Sequence, residues 1–180
     1  MKKFITPLLL IVAPLLMSAQ NVFDKFEDEN DVTSVVVTSE MFKLLSKMDL
    51  SSDDPEAQEY LNLINNLNEI KVFTTENVEV ASRMNATVSN YLSSSSKLVE
   101  LMRVKDKGQN IKFYVKKGAD ENHVSELLMH LTGTTEDGST QTVIMSITGN
   151  IDLKKISKLT KDLDVPGGEN LKKLEDKKTN

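Results

Sequence analysis

Two hydrophobic periods alternate along the chain, and the switches between them set the expected architecture. Residues 32–38 hold Val35, Val36 and Val37 between threonines, a β-branched run that predicts a well-buried strand. Met41, Leu44, Leu45 and Met48 then recur at helical spacing, so residues 40–48 predict a short amphipathic helix with Ser39 as its cap. Pro55 suits the first turn of a second helix, capped by Asp53 or Asp54, with Ala57, Tyr60, Leu61, Ile64 and Leu67 as its apolar face. Residues 70–74 predict a short strand. Val78, Ala81, Met84 or Asn85, Val88 and Leu92 restore the helical period, which the serines at 93–96 end.

From Lys97 the period falls to two. Leu98, Glu100, Met102 and Val104 alternate with Val99, Leu101 and Arg103, and residues 106–109 predict a hairpin turn. Ile111, Phe113 and Val115 alternate with Lys112, Tyr114 and Lys116 in the next strand. Residues 124–132 fit a helix through Val124, Leu127, Leu128 and Leu131, or a strand. The glycine-bearing turn at 133–139 and the apolar run at 140–148 favour the strand, because a hairpin satisfies both backbones by the shortest route. Residues 149–152 predict a turn whose Asp152 caps a helix over 153–161, with Ile156, Leu159 and Leu163 on its apolar side. Residues 21–31, with Phe23 and Phe26 among charges, fit either a frayed arm or one helical turn docked by its phenylalanines. The expected fold is α+β: an antiparallel or mixed sheet with two hairpins in its C-terminal half, packed on one face by three to four helices.

The N-terminus changes the picture most. Lys2 and Lys3 precede an apolar run over 4–17, and Ser18-Ala19-Gln20 leads into a charged stretch. This is the layout of a secretory signal peptide, too short for the roughly 17–25 residues a spanning helix needs. Cleavage is expected at Asn21, or after Ala19. The expected organisation is a signal over 1–20, one globular domain over 21–165, and a loose lysine-rich tail over 166–180. Removing residues 1–20 takes away Lys2 and Lys3 and no acid, which moves the formal charge from -5 to -7. That balance argues against nucleic acid as a partner. The chain has no cysteine, so neither a disulfide nor a lipid-bearing cysteine is expected, and no second apolar run predicts a membrane span in the mature chain.

Candidate chemistry is sparse. His123 and His130 share no metal-site or catalytic spacing, no serine lies in a nucleophile-elbow motif, and the glycines form no phosphate loop. Asp49, Asp53, Asp54 and Glu56 lack the glycine and spacing of a calcium loop. Met41, Met48, Met84, Met102, Met129 and Met145 read as gap-filling core. The one basic region of an acidic chain is the hairpin over 97–117, and Arg103, Lys105, Lys112, Tyr114 and Lys116 are its candidate binding residues. No metal or cofactor is expected.

Three segments carry a resemblance: the signal ending Ser18-Ala19-Gln20, Val35-Val36-Val37 leading to Met41-Phe42-Lys43-Leu44-Leu45, and Ile147-Thr148-Gly149-Asn150-Ile151-Asp152-Leu153. Together they resemble the family called domain of unknown function 4252, small exported proteins of Bacteroidetes, over about residues 23–163. The resemblance implies an exported globular protein of the cell envelope. Many members resemble lipoproteins with a cysteine at the cleavage point, but here Gln20 or Asn21 stands there, so no lipid anchor carries over. The sequence reading is thus a periplasmic or secreted, non-enzymatic binding or structural protein, its partner another envelope protein. The alternatives are a hydrolase built on His123 or His130, and a carrier of a small apolar ligand in a cavity lined by Leu101, Phe113, Leu128 and Ile144.

Overall fold

The computed structural model of the chain describes residues 21–47, 55–95, 97–106, 108–135 and 138–152. A single 3-10 turn, Asp24–Phe26, precedes β1 (Thr33–Thr38), α1 (Ser39–Lys47), α2 (Pro55–Asn65), β2 (Leu67–Thr75), α3 (Val78–Ser94), β3 (Leu98–Asp106), β4 (Gln109–Lys117), β5 (His123–Thr134) and β6 (Thr140–Asp152). The strands form one sheet in the order β1-β2-β6-β5-β4-β3, and every pairing is antiparallel. The last four strands follow one another as a meander, and β6 returns to pair with β2. The expected α+β class, its hairpins and the strand reading of β5 all hold.

Both faces of this sheet are buried, so the helices divide between them rather than covering one. On the first face Ile70, Val72, Val143, Met145, Leu127, Met129, Ile111, Phe113 and Val115 form a continuous apolar layer joined by Phe42 of α1 and by Leu63 and Ile64 of α2. On the second, Phe73, Ile144, Leu128 and Tyr114 meet Val80, Met84 and Val88 of α3. Phe23 and Phe26 complete that second cluster at 0% and 1% exposure, so residues 21–31 are a docked arm. α3 starts where the Asn77 side chain accepts the Glu79 and Val80 N–H groups, satisfying donors the first turn leaves open.

Four further expectations are corrected. β1 is an outer strand, not a buried one: Val35 is 50% and Val36 38% exposed. Met41 is 48% exposed and not core, unlike Met84, Met129 and Met145. Leu67 opens β2 instead of closing the second helix's face. Residues 149–152 belong to β6 and do not turn. Gly149 takes φ 145° there, and a Cβ on it would strike the Asn66 carbonyl oxygen, to which Asn150 N–H donates at 2.8 Å. Glycine thus lets β6 run on past the turn between α2 and β2. The acidic loop residues Asp49, Asp53 and Asp54, the helix expected over 153–161 and the tail lie outside the described residues.

Candidate functional site

The five candidate binding residues come together on the face that carries α3. In β4, Lys112, Tyr114 and Lys116 alternate with the core residues Ile111, Phe113 and Val115, as the period-two pattern requires. In β3 strict alternation would place Arg103 and Lys105 on the opposite face from Leu98 and Glu100. A bulge between Glu100 and Met102 prevents that. Glu100 pairs with Tyr114 and Met102 with Phe113, so Leu101 is the extra residue, and Arg103 then pairs with Lys112 and Lys105 with Asn110. One added residue reverses the facing of everything after it. The face assignment expected for Met102 and Val104 is corrected accordingly: both pack on the first face with Val99.

The result is a cationic strip at the end of the second face. Arg103 stands directly across from Lys112, an apposition of like charges that costs stability. Arg103 is forked onto Glu100, with Nε 3.1 Å from Oε1 and Nη2 2.9 Å from Oε2. Among the described residues, no ion pair engages Lys105, Lys112 or Lys116. Tyr114 is 9% exposed and belongs to the apolar cluster under the strip, and burial pushes its phenol pKa up. It is the floor of this surface and offers no open ring for stacking.

The remaining polar groups on this face are structural. His130 pairs across the sheet with Lys112 on β4, and its Nε2 lies 2.7 Å from Asn85 Oδ1 of α3. Burial, with the Lys112 charge beside it, lowers its pKa to about 4, so the ring is neutral at neutral pH. His123 opens β5, its Nδ1 2.8 Å from the exposed Asp120 carboxylate. Among the described residues neither histidine hydrogen-bonds a serine. Glu126 is buried at 6% exposure and accepts the Tyr91 hydroxyl at 2.9 and 3.0 Å; burial raises its pKa against the opposing pull of Tyr91 and Lys116. Ser146 Oγ is buried without a hydrogen-bond partner among the described residues. Leu101 lies exposed on the bulge, Phe113 on the first face, and Leu128 and Ile144 on the second, so these four do not line one cavity.

Sequence reasoning missed Lys71, an interior lysine at 5% exposure. Its ammonium lies 2.5 Å from Asp24, 2.7 Å from Glu27 and 3.3 Å from Glu69. Two of these acids come from the arm, as does Glu29, which forks onto Arg83 of α3 at 2.9 and 3.0 Å. The acidic run of residues 24–29 was the available signal, because a buried lysine needs such partners. An open recess of about 400 Å3 lies at the other end of the arm, lined by residues including Asp31, Thr75 and Asn77. Three of its polar residues are engaged with one another: Thr75 donates to the Asp31 carbonyl, and Asn77 donates to the Asp31 carboxylate while capping α3.

Among the described residues no three His, Asp or Glu are grouped to hold a metal ion, and no helix is long and apolar enough to cross a membrane. The fold and its basic strip define an antiparallel α+β domain covered on both faces, with a charged surface at the meander end. The chain belongs to the family described as a domain of unknown function (DUF4252), whose model matches residues 26–159. That span takes in the sheet from the docked arm through β6. No curated protein and no solved structure matches the chain.

Proposed function

We propose that this chain is an exported, non-enzymatic binding protein of a Bacteroidetes-type cell envelope, and that it holds an acidic surface of another envelope protein on the strip formed by Arg103, Lys105, Lys112 and Lys116. The bulge at Leu101 carries this reading. Without it Arg103 and Lys105 would leave the strip, and the like-charge apposition with Lys112 would vanish. A local arrangement that costs stability fits a surface whose partner supplies the missing negative charge. Export is supported by the signal layout of residues 1–20, and the family match is compatible with it.

The test is capture from envelope extract with the processed chain as bait, beside a Lys105→Glu, Lys112→Glu variant that leaves Lys116 in place opposite the buried Glu126. The wild type should enrich one protein, and added salt should weaken that capture. The variant should lose it while unfolding no earlier than the wild type, since the reversal places Lys112→Glu opposite Arg103. Equal capture by the variant, or enrichment of a lipid or glycan in place of a protein, overturns the proposal.

A further inference from the structure

We propose that two copies of this chain associate through the outer edge of β1, continuing the sheet antiparallel across a two-fold axis. Among the described residues the sheet has two outer strands, and they differ in kind. β3 carries Glu100, Arg103, Lys105 and Asp106 and is bent by its bulge, devices that discourage strand addition. β1 reads Thr-Ser-Val-Val-Val-Thr, without charge, proline or glycine. It pairs with β2 in unbroken register from Thr33 to Thr38, so its other edge presents a regular row of backbone donors and acceptors.

Exposed apolar surface accompanies that edge. Val35 is 50% exposed on the face that carries α1, and Val36 is 38% exposed on the other. α1 follows β1 directly and packs against β1 and β2, leaving Met41 48% and Leu44 60% exposed one helical turn apart. Two of the neighbouring acids are already paired within the chain. Glu40 is paired with Lys43 at 2.6 Å and Glu29 with Arg83 at 2.9 Å. β1 itself therefore carries no charge that would select a charged foreign strand or repel its own copy. A two-fold axis perpendicular to the sheet pairs residues of the same face. The registers that overlap most of Thr33–Thr38 therefore place either Val35 or Val36 opposite its own copy.

The chain has no cysteine, which makes the register directly readable. Chain purified after export should sediment as a concentration-dependent dimer. Under oxidation either Val35→Cys or Val36→Cys should cross-link between copies, and not both. Val35→Lys sits at a half-exposed position, so its melting temperature should stay near that of the wild type while dimerisation weakens roughly tenfold or more. A wild type that is monomeric throughout the micromolar range overturns the proposal. So does a dimer that Val35→Lys leaves intact, or one in which neither cysteine cross-links.

Discussion

Replacing Lys71 by methionine asks what the buried ammonium contributes. The two side chains have similar reach, so packing is retained while the cation disappears. Its three acids remain, with side-chain exposures of 22% for Asp24, 35% for Glu27 and 30% for Glu69. Stranding fully buried partners costs about 3–5 kcal/mol, and partial access to water reduces this to roughly 2–3 kcal/mol here. Burial by itself would lower the lysine pKa, but the hydrogen bonds to Asp24 and Glu27 and the charge of Glu69 outweigh it and raise the value. The lysine's share of stability is therefore fully present below the unfolded value near 10.5 and is lost only as pH rises beyond it. At neutral pH, urea unfolding followed by circular dichroism should show a lower midpoint with an unchanged slope. In heat the fall should be roughly 4–12 °C. A companion variant, Lys71→Met with Asp24→Asn and Glu27→Gln, strands fewer charges and should recover to within about 1 kcal/mol of the wild type. If Lys71→Met unfolds at the wild-type midpoint, or the triple variant is as unstable as the single one, the cation does not hold the arm down.

Two further outcomes follow from the same geometry. His130 has a folded pKa of about 4 against 6.5 when exposed, so the unfolded state takes up a proton that the folded state refuses. Its contribution is intact above pH 6.5 and falls away toward pH 4, by on the order of 3 kcal/mol; melting curves across that range should show a slope that His130→Gln lacks. Gly149→Ala combines φ 145° with a collision against backbone and should cost about 2–4 kcal/mol, whereas Gly138→Ala, at φ 89° in open space, should cost about 1 kcal/mol. Equal midpoints for the two alanine variants in urea would refute the close approach at Asn66.

Much of this fold is legible in hydrophobic periodicity, because a buried face imposes its period on the residues that line it. Ile111, Phe113 and Val115 show this in β4, and Val80, Met84 and Val88 show it in α3. What escapes is any feature made by a single residue. Leu101 is one amino acid too many in β3, and nothing in its identity announces that the facing of Arg103 reverses there. Gly149-Asn150 has the composition of a turn, yet glycine there serves a close crossing inside a strand. Val35 to Val37 has the composition of a central strand, and only the pairing order shows it at the edge. The candidate residues of the basic strip were legible as a group because lysines concentrate in one hairpin. Their common face was not, since it depends on the bulge.

The pairing order also bears on when the sheet can close. β6 comes last among the described strands, yet it lies between β2 and β5 and joins the N-terminal half to the meander. A chain delivered N-terminus first, from a ribosome or through a membrane channel, presents β1 and β2 long before their neighbour arrives. Until Thr140–Asp152 emerges, β2 has only one partner and the two apolar clusters cannot meet their central strand. The non-local pairing of β2 with β6 carries a loop-closure cost that local hairpins do not. Folding of the sheet is thereby deferred until the last of its described strands has been delivered.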